Sequence, residues 1–229
     1  MARLPRLYAP GVVHRVLQRA TEGRRLLFED AEDYGFFVDL LGETARARGL
    51  AIHAYVLLPM QFQLLVTPSD SSALPQTMQA IGRRYVPYKN RKTGRLGPLF
   101  ERRYRSTLID ADGYLLSCMQ HLEAQPVAQG FAQSLDQWRW SSYRHHVGRE
   151  QETFLVDHAL YWALRNTPFE RQGAYQSLFE APLAVDFART VERATEMGWA
   201  LGDDDFLQSI APQSTRRAAP MQRGRPKKT

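Results

Sequence analysis

The side chains with the greatest chemical capacity in this sequence are its arginines and lysines, and their spacing suits phosphate. Nine basic residues stand between Arg83 and Arg105 (Arg83, Arg84, Lys89, Arg91, Lys92, Arg95, Arg102, Arg103 and Arg105), against Glu101 as the one acid. Spread over a helix end, a loop and a strand start, such a tract can follow a nucleic-acid backbone. A second basic tract closes the sequence: residues 215–229 hold Arg216, Arg217, Arg223, Arg225, Lys227, Lys228 and no acid. Its RGRPKK run, Arg223 to Lys228, matches the core of an AT-hook. In that motif proline keeps the chain extended, and Arg-Gly-Arg lies flat in the narrow minor groove of A·T-rich DNA. The whole chain carries 30 Lys and Arg against 24 Asp and Glu, net +6; setting aside the six tail residues leaves 24 against 24. Charge segregated in this way is the footprint of a nucleic-acid binder.

The other reactive residue types are sparse. None of the six histidines forms a His-x-His pair, and the adjacent His145 and His146 point in different directions. His53 lies in an apolar run and reads as a core residue. The single cysteine, Cys118, excludes an intrachain disulfide and fits a reducing cytoplasm. Tyr85, Tyr88 and Tyr104 stand among the arginines, where rings can stack on bases; Tyr85 also continues the apolar face of its helix.

The elements that must position these residues follow from periodicity. Val12 to Gln18 reads as a strand, Asp30 to Arg48 as a helix ended by Gly49, and Leu50 to Leu58 with Phe62 to Thr67 as a hairpin turning at Pro59-Met60. A helix capped by Ser71 or Ser72 runs through Met78, Ile81 and Tyr85, followed by a Gly- and Lys-rich loop from Asn90 to Gly97. Arg102 to Ile109 reads as the fourth strand. Asp110 caps a helix from Ala111 to about Gln125, stopped by Pro126. Strand, helix, strand, strand, helix, strand, helix is the order of an α+β, ferredoxin-like (RRM-like) sandwich with a small, mostly antiparallel sheet. After Trp138 only short helices are read: Ser141–His146, Asp157–Arg165, Arg171–Phe179, Val185–Met197 and Asp203–Ile210. The expected organisation is an α+β domain over 1–148, a helical extension over 149–210, and a basic disordered tail over 211–229.

At 229 residues, 44% hydrophobic and 24% charged, the composition excludes a mostly disordered, collagenous or disulfide-scaffold chain. No apolar run reaches the ~18 residues of a membrane span, and MARLPRLYAP lacks the apolar stretch of a secretion signal. A cytoplasmic protein, nucleoid-associated in a prokaryote, is expected.

Several ordered segments carry a resemblance: LPRLYAPGVVHRVLQR, AIHAYVLLP, MQAIGRRYVPYKNRKTGRLGPLFERRYRSTLID, YLLSCMQHLEAQPV, WSSYR, HALYWAL and LGDDDF. Together they make the chain resemble, over nearly its whole length, the REP-associated tyrosine transposases, relatives of the insertion-sequence-200-like single-strand (HUH) transposases. The resemblance implies enzymes that cut one DNA strand near short hairpins. A His-apolar-His pair on a strand binds magnesium or manganese, and a tyrosine on a later helix attacks the phosphate. Residues i and i+2 of a strand share a face, so two imidazoles can share one ion, which polarises the phosphate.

At the matching positions this chain departs from that pattern. The His-apolar-His place holds Gln61-Phe62-Gln63, the tyrosine's place holds His121, and Gln125 stands one helical turn beyond it, where some relatives have a third ligand. Two neutral amides make a weak magnesium site, because that ion binds mainly through carboxylates. Tyr114 lies seven residues before His121, about 10 Å along the helix, and is no replacement nucleophile. The resemblance and the substitutions together imply a protein that binds hairpin or single-stranded DNA, with no cofactor and with nicking chemistry lost. An active metal-dependent enzyme with unusual ligands is the alternative. An RNA-binding module on the same architecture is a further one.

Overall fold

A computed structural model describes residues 6–21, 26–214 and 216–220 of the chain. Four strands form one sheet: β1 (Val13–Arg19), β2 (Leu50–Leu58), β3 (Gln61–Pro68) and β4 (Arg105–Ile109), in the order β2-β3-β1-β4 with every pairing antiparallel. With α1 (Ala31–Ala47) between β1 and β2, and α2 (Ala73–Thr93) between β3 and β4, this is the ferredoxin-like βαββαβ arrangement. Three starts or ends differ from the sequence reading. The Lys-rich segment from Asn90 is no loop: α2 runs on to Thr93, and Gly94 ends it in the left-handed conformation at φ 64°. Strand β4 begins at Arg105 rather than Arg102, because the Arg102 carbonyl is taken by the Gln18 side chain instead of a ladder partner. The third long helix, α3 (Ala111–Ala128), passes through Pro126, whose carbonyl accepts from the Phe131 N–H at 2.8 Å. Proline there costs only one late intrahelical bond.

The two sheet faces bury separate cores. Val16, Phe62, Leu64 and Val66 face α1 and α2, packing on Phe37, Leu41, Ile81 and Tyr85. Val13, Leu65 and Ile109 face the other way, onto α3. Strand β2 changes phase partway: a bulge between Ile52 and Ala54 leaves His53 unpaired in the ladder, so Ile52 and Tyr55 share the α1–α2 face. His53 is satisfied there, hydrogen-bonded at Nδ1 to the Val156 carbonyl and at Nε2 to Thr67 Oγ1.

After α3 the chain forms only helices among the described residues: α4 (Tyr143–His146), α5 (Ala159–Trp162), α6 (Pro168–Ser177), α7 (Phe187–Met197), α8 (Asp204–Ile210) and three short 3-10 turns. These segments close the sheet. The Leu57 N–H donates to Trp140 O and Val156 N–H to Ile52 O, covering the β2 edge. Leu201 N–H donates to Leu108 O and Asp110 N–H to Leu201 O, covering the far end of β4. Of the residues expected to begin a disordered tail, 211–214 and 216–220 lie on this body: Ala218 is buried against Leu7, Ala9, Leu108 and Ile210, and its carbonyl accepts from Ala200 N–H. Arg223, Arg225, Lys227 and Lys228, the AT-hook-like residues, lie outside the described residues. No described helix is long and apolar enough to cross a membrane.

A buried ion pair locks α1 to α2. Asp33 accepts from Lys89 at 2.5 Å, from Lys92 at 3.0 Å and from the Glu29 N–H at 2.8 Å, with Asp33 and Lys89 both buried. Removing the carboxylate leaves the buried Lys89 ammonium only Glu29, at 3.5 Å, whereas removing Lys89 leaves Asp33 three donors: Lys92, the Glu29 N–H and the Tyr88 hydroxyl at 3.2 Å. Asp33→Ala should therefore cost about 3–5 kcal/mol in urea unfolding, Lys89→Met less than half of that. Equal losses would show that the pair is not what holds these helices together.

Candidate functional site

The face of β1 and β3 turned toward α3 carries the residues of interest. Strand alternation puts Val13, Arg15, Leu17 and Arg19 of β1 on that face, with Leu17 opposite Gln63 and Arg19 opposite Gln61. Helix α3 crosses this face and brings His121 and Gln125 to it, one turn apart. The structure thus brings Gln61, Gln63, His121 and Gln125 to one side of the sheet. It also puts a residue among them that the motif reading passed over. Arg15 is 2% exposed, and its guanidinium donates to Gln63 Oε1 and to Thr195 Oγ1 of α7, each at 2.6 Å. Thr195 in turn donates to the Val191 carbonyl of its own helix at 2.8 Å. One turn of α7 also brings Glu196 to Arg19 at 3.3 Å and to Arg105 at 3.7 Å. Helix α7 therefore lies across this face, with Val191 and Thr195 buried and the Phe187 ring 6.1 Å from that of His121.

The polar atoms here are already committed to one another. Gln129 donates to Gln125 Oε1 at 2.7 Å, and the Gln125 amide lies 3.1 Å from His121 Nε2. An amide nitrogen only donates, so His121 Nε2 accepts and the ring carries its proton at Nδ1. A divalent cation does not fit this set. The Gln63 and Gln125 oxygens are occupied, and a fixed guanidinium charge, with Glu192 acting on it by charge, stands where a second cation would have to enter. Burial, then the nearby Arg15 charge, lowers the His121 pKa to about 4. Burial raises the Cys118 thiol to about 12, which Arg15 only partly offsets, so Cys118 is no nucleophile near neutrality.

The nine residues of the internal basic tract do not form one surface. Lys89 is a core residue held by Asp33. Lys92 is engaged by Asp30 at 2.8 Å and Glu32 at 2.7 Å, and Arg84 by Glu43 at 2.7 Å. These three lie on α2, toward the carboxylates of α1 and the turn before it. Arg83, Arg91 and Arg95 are exposed on or just past α2. Arg102 and Arg103 are exposed and Arg105 half-buried at the start of β4, beside Arg6, which stacks 3.7 Å over the Tyr104 ring. Tyr85 is in the core and donates to the Leu27 carbonyl, and Tyr88 stacks on Phe36. Arg6, Arg15, Arg19 and Glu196 were not evident as a set. The alternation Arg15, Leu17, Arg19 was a readable signal for two of them, but their partners lie some 180 residues away in the chain.

A second polar cluster joins α3 to α4 and α6. The buried Glu123 carboxylate accepts from Ser142 Oγ at 2.5 Å, His146 Nδ1 at 2.8 Å and Tyr175 OH at 2.8 Å. His145 and His146, for all that they diverge along the chain, both turn Nε2 toward Asp157, at 3.3 and 3.9 Å, the one group of metal-ligand spacing among the described residues. The Glu152 N–H donates to His145 Nδ1, however, so the Nε2 proton is already spent on Asp157. That arrangement is a hydrogen-bond network in which the buried His146 Nε2 has no hydrogen-bond partner among the described residues.

No family model matches the chain, and no curated protein matches it. Among solved structures it is similar to a REP-associated tyrosine transposase bound to a REP hairpin, with a TM-score of 0.55 and 17% identity over 70% of this chain and 93% of that one. A candidate transposase from Deinococcus radiodurans R1 aligns with a TM-score of 0.37 and 16% identity, over 54% of this chain and 98% of that one. The first likeness is one of fold: the chain has the α+β fold of that transposase.

Two outcomes follow from the geometry. Arg15→Ala should cost about 3 kcal/mol in urea unfolding, since it opens a cavity and leaves Gln63 without its donor, while Thr195→Ala should cost about 1 kcal/mol. His121, with a folded pKa near 4 against 6.5 unfolded, contributes stability that is complete above pH 6.5 and lost as pH falls toward 4. His14 and His53, lowered by burial to about 4 as well, add to that acid limb. His121→Gln should therefore reduce it without abolishing it, and an NMR midpoint near 6.5 for the His121 ring would show it to be solvated.

Proposed function

We propose that this chain is a DNA-binding protein of the single-strand transposase kind, which engages hairpin or single-stranded DNA and no longer cuts it. The observation that carries the loss of chemistry is Arg15. A guanidinium bonded to Gln63 fills the cluster at the positions where the resemblance expects metal ligands, and His121, neutral and hydrogen-bonded, stands in the nucleophile's place. Binding is supported by the fold, which is that of a transposase described with a REP hairpin bound. It is supported as well by the arginines around the start of β4. Arg102 and Arg103 face solvent beside Arg6 and Arg105, and a phosphate backbone can run along such a row without reading sequence. Arg83, Arg91 and Arg95, exposed along α2 and its end, extend the same electrostatic field. Arg84, Lys89 and Lys92 hold internal ion pairs and take no part in the proposed contact.

Labelled hairpin DNA incubated with the full-length protein and magnesium or manganese should show neither nicked strand nor covalent adduct on a denaturing gel. A metal-dependent adduct would overturn the loss of chemistry. Binding should weaken steeply with salt, the logarithmic slope being roughly −0.7 per phosphate contacted on a single strand. Arg102→Ala with Arg103→Ala should lower affinity across sequences and reduce the slope by about one to two contacts. An unchanged slope would place the DNA elsewhere on the protein.

A further inference from the structure

Helix α6 buries two polar side chains one turn apart, Arg171 and Tyr175, and they fare differently. Tyr175 gives its hydroxyl proton to Glu123. Arg171, 6% exposed, has no such acceptor. Its Nε–H is sealed from solvent without a partner, and among the described residues no carbonyl, hydroxyl or carboxylate accepts from the guanidinium. What holds the group is aromatic: its central carbon stands 4.0 Å from the centre of the Trp162 ring and 5.8 Å from that of Tyr161. Asp157 and Arg171 act on one another by charge, but the Asp157 oxygen is taken by His145. A guanidinium keeps its charge and its five donors, so burying one without an acceptor is unfavourable.

Arg171 lines a cavity of about 430 Å³ between the segment after α4 and the helices α5 and α6. This cavity sits at the β2 edge of the sheet, to which Ser141 and Leu155 bridge. The arginines at the start of β4 stand at the opposite edge. Pockets for small organic molecules run from roughly 300 to 1,000 Å³, so there is room here for more than a bare ion. Trp162 and Pro168 give the cavity apolar wall, and Gln151 and Gln172 add amides.

The charges in the lining select the kind of anion. Arg149 is the second cation, whereas Glu150 and Asp157 are acids of the same lining, held by Arg144 at 3.0 Å and by His145 at 3.3 Å. Beside those two carboxylates a dianion such as phosphate is repelled, while a single negative charge is still drawn to the unanswered guanidinium. A carboxylate is that monoanion, and its two oxygens match the paired N–H donors of an arginine. We propose that the cavity binds a small carboxylic acid, with the carboxylate on Arg171 and the apolar body of the molecule against Trp162 and Pro168. The site is separate from the proposed DNA contact and does not rest on it.

The test follows the arginine Nε–Hε resonances of the full-length, nitrogen-15-labelled protein during titration with benzoate, acetate, inorganic phosphate or hairpin DNA. Benzoate should shift one resonance saturably, and Arg171→Lys should remove that resonance and the binding. Acetate, which lacks a body to bury, should bind about ten-fold more weakly, and phosphate more weakly than benzoate by a similar factor. Gln151→Glu, at an exposed position, should weaken benzoate about five-fold by placing a third carboxylate in the lining, and it decides the matter if Arg171→Lys fails to fold. No saturable shift with about 20 mM benzoate, or benzoate binding that Gln151→Glu leaves unchanged, would overturn the site. Phosphate binding more tightly than benzoate would overturn the choice of a carboxylate. A shift of the same resonance by hairpin DNA that benzoate does not reverse would give the cavity to a strand phosphate and overturn the proposal. None of these outcomes bears on whether the arginines at β4 bind DNA.

Discussion

A positive charge buried between a sheet and its covering helices has to be given acceptors from every side, and Arg15 imposes that requirement on this molecule. A guanidinium carries five N–H donors and cannot lose its charge in a protein. Its sheet neighbour Gln63 supplies one oxygen from β3. The opposite side is supplied by Thr195, so α7 is fixed at one point and in one orientation. Glu196, one residue on, then reaches Arg19 and Arg105 at the rim. The same charge has chemical consequences around it. It helps keep His121 unprotonated, it stands against the entry of a metal ion, and it takes up the oxygen that such an ion would have used.

The framework of the domain was legible because its signals are local. Apolar alternation marked the strands, and strand–helix order alone singled out the ferredoxin-like topology. What local reading missed was set by partners far away in sequence. Helix α2 extends through Lys89 and Lys92 because Asp33 at the start of α1 receives both ammonium groups, so a stretch with the composition of a loop is helical. Strand β4 loses its first three expected residues because Gln18 takes the Arg102 carbonyl. The basic tract was visible as a run of charge, but which of its members face solvent depends on carboxylates of α1 and of the turn before it, and sequence proximity does not reveal that.

At the polar cluster the sequence identified which residues were unusual and could not say what replaced their chemistry. Gln61, Gln63, His121 and Gln125 were singled out by resemblance alone. Their present role follows from Arg15, Gln129 and Thr195, of which none belongs to the motif. The tail was half legible. Its described residues pack through Ala218 on the segment before β1, where a composition rich in small and polar residues gave no sign of a docking site.

The bond between Arg15 and Thr195 spans 180 residues, and that separation sets an order of events during synthesis. At about 5–20 residues per second, roughly ten to forty seconds pass between the two residues leaving the ribosome. During that interval β1, β3 and α3 can assemble, but the guanidinium on their shared face has only Gln63 and water as partners. The nascent domain thus presents a hydrated, positively charged face that the finished protein does not have. Helix α7 converts that face into an interior, so the guanidinium, still charged, leaves water only after residue 195 has been made.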